Sequence, residues 1–393
     1  MSLQKQDRLI PLFASLLILA ACSTSPGIVK EERVLYPAPP DPPRIQFLRS
    51  LSAGSEIEPG RSALDSLLFG EAPDVAKPIV KPTAMAVHRG IIYVTDSQVG
   101  GVYSIDLRGQ KIDILRPRGR GALQKPSGIF IAAEGPKADA SPAPLAQQGE
   151  IYISDAARKQ ILVYDLDWAF LKELGPWDKN SSPQDVVASA DRLYVADTAA
   201  HCVRVLDRKT GKQLYLLGEG KDLATGLIGP THLDLDDEGN LYVVDTIRIK
   251  VQVWNKDGEF VRTIGGAGDR PGFFSRPKDI AVSGRTIWVI DAFYAHCQIL
   301  DLNGRPLMYF AGGGTGPGQL YLPRALWIGK EGLDLFKDYI EEDFVAEKLI
   351  IIASQYGPRK LNFYAFGHSR KFEYPDTPLP ERPTKTDTKG ESK

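Results

Sequence analysis

From Lys81 onward the chain repeats one pattern about six times: a proline, a short apolar run, an apolar-Tyr-apolar strand ending on Asp, then a β-branched strand closing on Asp or Asn. In register the copies read KPTAMAV with IIYVTDSQVGGVYSIDL, KPSGIFI with EIYISDAARKQILVYDL, SPQDVVA with RLYVADTAAHCVRVLDR, GPTHLDL with NLYVVDTIRIKVQVWNK, RPKDIAV with TIWVIDAFYAHCQILDL, and a worn sixth, LPRALWI with KLIIIASQYGPRKLNFYAF. The leading prolines are Pro82, Pro126, Pro183, Pro230, Pro277 and Pro323, so the last three steps are 47, 47 and 46 residues. A period of this length marks one supersecondary unit per repeat, each burying its apolar face against its neighbours. Period-2 alternation bounded by turn pairs such as Asp257-Gly258 and Asn303-Gly304 reads as short antiparallel strands, four to a unit. The expected fold is all-β, a six-bladed β-propeller of four-stranded antiparallel blades.

The N-terminus points to where such a domain works. After Lys5 and Arg8, the apolar run LIPLFASLLILAA at 9–21 fits a signal-peptide core and is too short for a spanning helix of roughly 20 residues. It ends in Leu19-Ala20-Ala21-Cys22, which resembles the bacterial lipobox, implying a lipoprotein signal peptide at 1–21 and lipidation, palmitate included, at Cys22. Each buried CH₂ contributes about 0.8 kcal/mol, so several acyl chains anchor a protein essentially permanently. Ser23 rather than Asp after the cysteine leans, by the same resemblance, toward the outer membrane and the periplasm.

Residues 22–43, with PAPPDPPR, read as a lipidated Cys followed by a Pro-rich, extended tether. RIQFLRSL at 44–51 is different. Its alternation matches the fourth strand of a repeat, such as GEFVRTIGG at 258–266, and the sixth repeat lacks a fourth strand of its own. An N-terminal strand closing the last blade would remove an exposed edge, so the propeller is expected over 44–367, with a short helix possible at 61–69 and a disordered tail at 368–393. Two insertions break the period. Residues 133–149 are rich in Ala, Pro and Gln and read as a surface loop. Residues 329–346 place Leu333, Phe336, Ile340 and Phe344 at helical spacing, a helix that either packs on its own blade or docks a partner through Phe336, Tyr339 and Ile340.

The Pro-x-x-apolar, Tyr-Val-x-Asp and Gly-x-Phe-Val-x-x-Ile-Gly elements resemble NHL repeats, and with the lipobox the whole resembles the NHL lipoproteins of bacteria. That resemblance implies a fold more than an activity. Any chemistry should sit on the central channel, ringed by the second residue after each proline: Ala84, Gly128, Asp185, His232, Asp279 and Ala325. Asp185, His232 and Asp279 are ligand types for a divalent ion, and such a site would resemble those of propeller lactonases. Alternatively they bond neighbouring backbone, with Lys278 and Arg324 beside them to offset the carboxylates. Asp96, Asp155, Asp197, Asp245 and Asp291, ending the second strands, read as turn acceptors.

With Lys+Arg 48 against Asp+Glu 49 and a formal net charge of -1, nothing favours phosphate-backbone binding. Cys202 and Cys297 fall in non-adjacent repeats, too far apart for a disulfide, and read as buried thiols. No CxxCH or CxxC, no Gly-x-Ser-x-Gly elbow and no helix after GGGTGPG at 312–318 supports haem, a metal knuckle, a serine nucleophile or a phosphate loop. No cofactor is expected. Two functional classes remain: a monomeric, membrane-anchored binding platform for a protein, peptide or glycan, and a metal-dependent hydrolase or lyase built on the channel ring. The lipid anchor is testable by itself: Cys22→Ala should abolish labelling by a palmitate analogue and cleavage before residue 22, whereas retained label in the variant would refute it.

Overall fold

The structure, a computed structural model, describes residues 32–58, 77–133, 149–220, 222 and 224–374. The signal peptide, Cys22, the 61–69 helix, nearly all of the first insertion and the tail from 375 lie outside the described residues. Six sheets form six blades. Short β1 (Leu35–Tyr36) and β2 (Ile45–Leu51) precede them. Blade one is β3 (Pro82–His88), β4 (Ile91–Asp96), β5 (Gly101–Asp106) and β6 (Lys111–Leu115); blade two is β7 (Pro126–Ala133), β8 (Gly149–Asp155), β9 (Gln160–Asp165) and β10 (Phe170–Leu174). Blade three holds β11 (Pro183–Ala188), β12 (Arg192–Asp197), β13 (Cys202–Asp207) and β14 (Gln213–Leu217), and blade four β15 (Pro230–Leu235), β16 (Leu241–Asp245), β17 (Lys250–Trp254) and β18 (Phe260–Ile264). Blade five is β19 (Pro277–Ser283), β20 (Thr286–Asp291), β21 (His296–Asp301) and β22 (Pro306–Ala311), and blade six β23 (Pro323–Gly329), β24 (Phe344–Ser354) and β25 (Leu361–Ser369).

Every leading proline opens a first strand, because its missing N–H suits a strand start at the open channel edge. In each first strand the register slips by one residue between the proline and the second residue after it, as between Pro183 and Asp185 or Pro277 and Asp279. The apolar faces of adjacent blades meet in separate clusters, for example Val187, Leu233, Val243 and Trp254 between blades three and four. Cys202 and Cys297 are buried, unbonded thiols, and burial pushes both up in pKa.

The ring closes as its alternation suggested: β2 pairs antiparallel with β25, Ile45 opposite Phe366 and Leu51 opposite Leu361. Two boundaries move. β1 pairs with β2, Leu35 opposite Gln46, so the end of the expected tether is a fifth strand of blade six. The expected tail also starts later, since β25 runs to Ser369 and the Tyr374 hydroxyl donates to the Pro43 carbonyl at 2.7 Å.

The second insertion corrects a candidate partner surface. Leu333–Tyr339 is a 3₁₀ helix, and Phe344, which helical spacing placed on the same face, is the first residue of β24. Phe336 is buried at 1% exposure, its ring 4.9 Å from Phe363 in the core between blades six and one. Tyr339 and Ile340 are half-buried against the same cluster. The Tyr339 carbonyl accepts from the Gln46 side chain at 2.9 Å, and its hydroxyl accepts from Arg49 at 3.1 Å. The insertion thus fastens the closing strand to the ring instead of standing free for a partner. Phe336→Ala should lower stability by about 3–5 kcal/mol, measured by urea unfolding; a loss under about 1 kcal/mol would show that the side chain is not core.

Candidate functional site

Within each blade the start of the first strand, the end of the second and the start of the third lie at one end of the sheet. This end carries both the loops after the second strands and the blade-to-blade connections. The recurring aspartates organise it. Asp96 accepts from the backbone N–H groups of Val80 and Lys81 with one oxygen and from Gln98 and Val99 with the other, at 2.6 to 3.0 Å. Asp155 and Asp291 do the same, and Asp197 and Asp245 follow with small variations. All five are fully buried, their charge met by N–H donors. Ser354 stands in blade six, its hydroxyl accepting from the Tyr321 N–H at 3.2 Å.

The channel behind this face is a cavity of 290 Å³ lined by Ala84, Asp185, His232, Asp234 and Asp279 among others. The innermost strand of each blade leaves alternate N–H groups without a strand partner, and carboxylates meet several of them. Asp185 accepts from Leu233 of the next blade at 2.9 Å, Asp234 from Val282 at 2.7 Å, and Asp279 from Leu326 at 2.7 Å. Each therefore links its blade to the following one, from blade three through blade six. Gly128 occupies the ring position beside Asp185 because a Cβ there would stand 2.5 Å from the carboxylate.

The structure thus assigns Asp185 and Asp279 to the blade seams. Among the described residues, no three His, Cys, Asp or Glu side chains converge as a metal-ligand set. Asp185 and Asp279 thus follow the reading in which they bond neighbouring backbone, and with His232 they are not gathered into such a set. His232 is buried, with both ring nitrogens unmet by a hydrogen bond; it approaches the Thr83 backbone across the channel, outside bonding geometry. Burial, with Arg324 and Lys278 nearby, holds its pKa well below the usual range. Burial also lifts Asp185 and Asp234 to about 7 and Asp279 well above the usual carboxylate range, the last helped by Asp185. Asp234 escaped the sequence reading, although it lies two residues beyond His232 and so on the same strand face.

The large exposed apolar side chains are distributed unevenly. Leu171, Leu214, Leu307 and Tyr309 lie on outermost strands, whereas Ile228, Ile247, Phe293, Tyr321, Leu322 and Tyr356 all lie on the face the aspartates organise, on blades four to six. Phe293 is 68% and Ile247 60% exposed. The second residue after the strand-ending Asp or Ser is Gln98, Ala157, Ala199, Ile247, Phe293 and Tyr356 in blade order. Three consecutive blades therefore replace small or polar residues by bulky apolar ones at one repeat position. The Phe293 N–H is bonded to Asp291 at 2.9 Å, which fixes the backbone that aims its ring outward. The signal is visible in the sequence only when the copies are aligned at this one position.

A family model described as a 6-bladed beta-propeller matches residues 227–306, blades four and five. No curated protein matches the chain. Among solved structures, a structural genomics protein of unknown function from Bacteroides thetaiotaomicron is 17% identical with a TM-score of 0.52, covering 81% of this chain and 75% of the other. A streptogramin B lyase is 16% identical with a TM-score of 0.49, covering 76% and 82%. A nidogen/laminin complex chain is 16% identical with a TM-score of 0.46, covering 68% and 92%. At these identities the likenesses show the fold alone.

The channel carboxylates make stability depend on pH. Asp185 holds, when folded, a proton that the unfolded chain releases above its usual 3.8, so its contribution falls as pH rises from about 4 to about 7. His232 acts oppositely, the folded form refusing a proton that the unfolded chain takes below about 6.5. Asp185→Asn removes the first effect and also relieves the repulsion that raises Asp279, a change of the same sign. The stability of Asp185→Asn minus that of wild type should therefore increase from pH 4 to pH 7 in urea unfolding, and a difference independent of pH would rule out the buried titration.

Proposed function

We propose that this protein is a membrane-tethered binding protein of the bacterial cell envelope. In this reading an NHL-type propeller is held by lipid at Cys22, at the outer membrane, and presents its loop-bearing face to a protein, peptide or glycan. The observation that carries it is the gathering of Ile247, Phe293 and Tyr356 at one repeat position on three consecutive blades. Exposed apolar side chains grouped on one face mark interaction surfaces. Blade packing gives no reason for them there, because blades one to three fill that position with Gln98, Ala157 and Ala199. The carboxylates on which a hydrolase or lyase would draw are engaged in blade-to-blade bonds, so the binding reading is the better supported one.

A photo-crosslinking residue introduced at Phe293 in cells should give specific adducts, and the same residue at Asn303, in a turn at the opposite end of blade five, should give few or none. Equal yields from both positions, or none from Phe293, would refute the assignment of the binding face.

A further inference from the structure

The residue immediately after each leading proline forms a second ring at the channel mouth: Thr83, Ser127, Gln184, Thr231, Lys278 and Arg324. In blades one and two this position stitches seams, Thr83 and Ser127 donating to the carbonyls of Pro126 and Pro183 at 3.1 Å each. In blade four the Thr231 hydroxyl meets that of Thr246 at 2.9 Å. Blades five and six instead place long cations there, on the neighbouring first strands β19 and β23. The side chains of Lys278 and Arg324 make no hydrogen bond or close ion pair with another described residue. Burial, then repulsion from Arg324 and Arg276, lowers Lys278 to about 8, and burial draws Arg324 down as well. The carboxylates whose fields reach Arg324, Asp279 and Asp185, already accept backbone N–H groups. Two cations therefore share a half-buried mouth without a paired counter-charge, and the unpartnered His232 imidazole lies in the channel beside them. Phe293, Tyr321 and Tyr356 rim the same sector, and Lys81 and Lys360 flank the Tyr356 ring at 5.9 and 6.0 Å.

We propose that Lys278 and Arg324 form an oxyanion site at the channel mouth, taking the carboxylate or phosphate of a ligand whose apolar body rests on Phe293 and Tyr356. The guanidinium offers a planar fork for two oxygens, and the ammonium adds a point charge from the adjacent blade. An anion there offsets the repulsion between the cations in a poorly hydrated site, where such contacts are strongest. The proposal rests on the binding-face reading and deepens it. The oxyanion comes either from the C-terminal carboxylate of a polypeptide or from a small organic acid.

The test is calorimetric titration of the full-length protein with inorganic phosphate, phenylacetate, and a short peptide ending in Phe with a free or an amidated carboxyl group. An oxyanion ligand should bind, and the variants Lys278→Thr and Arg324→Thr, which copy the residue blades one and four carry, should each weaken it about tenfold while melting like wild type. Phe293→Ser should weaken phenylacetate or peptide but leave phosphate unchanged. Binding of the free-acid peptide about tenfold above its amide assigns the source as a polypeptide terminus; binding of phenylacetate without the peptide assigns it as a small acid. Should a threonine variant fail to fold, the wild type still decides: phosphate at saturation should slow acylation of Lys278 severalfold relative to chloride at equal ionic strength. No binding by any probe, affinity unmoved in folded threonine variants, or unprotected Lys278 would overturn the site. Continued crosslinking from Phe293 alongside such a failure would leave the binding face standing and remove only its anion site.

Discussion

A buried carboxylate at the end of the second strand in five of the six blades governs this propeller. The five aspartates accept N–H groups from both the incoming connection and the following loop, which no strand pairing would satisfy. Hydrogen bonds to a charged group contribute about 1.5–3 kcal/mol each, and deleting the acceptor leaves several buried donors unmet at once. The same bonds set where each first strand begins, hence the proline, the register slip after it, and the two rings of residues at the channel mouth. They also fix the loop that aims Phe293 outward. Blade six, with Ser354 in place of the aspartate, carries a weaker version. It is also the blade that takes two strands from the N-terminal segment, one of them a fifth, and carries the insertion clasp around Phe336.

The channel shows how residues suited to catalysis serve architecture. Asp185, Asp234 and Asp279 lie on a 290 Å³ cavity with a histidine among them, an assortment that would suit metal or acid–base chemistry. Their oxygens are nevertheless directed at the backbone of the next blade. An inner strand must pair its free N–H groups with something, because buried donors left alone are costly. Blades three to five use carboxylates for this purpose, and burial is the largest cause of their raised proton affinities.

Much of this was legible in the residues. A period near 47 with Tyr-x-x-Asp marks gave the blade count, and the alternation of Ile45 and Phe47 gave the closing strand, because strand periodicity is a local property. The 329–346 insertion misled for the same reason. Leu333, Phe336 and Ile340 match a helical spacing over about two turns, but Phe344 is drawn into β24 by pairing with Ser369, a partner that no local window contains. Of the channel ring, Ala84, Asp185, His232 and Asp279 line the cavity, since their place follows from the proline register. That Asp185 and Asp279 bond neighbouring backbone was one of the two readings the residues allowed, and the N–H groups of the next blade decide for it. Ile247, Phe293 and Tyr356 were visible only by comparing the copies at one position, where exposure rather than charge is the signal.

Closing a ring with a strand that precedes the first blade also sets an order of assembly. β2 is synthesised before any blade, yet its partner β25 is among the last segments made, and contacts such as Tyr374 to Pro43 span 331 residues. Blades one to five can each form from local hairpins, but the final seam must wait for the whole chain and bear the loop-closure entropy of nearly its full length. Until then the apolar residues of β2 have no cover. A nascent chain therefore carries the apolar strand 45–51 unpaired until β25 is made, and the yield of closed rings depends on that strand staying available.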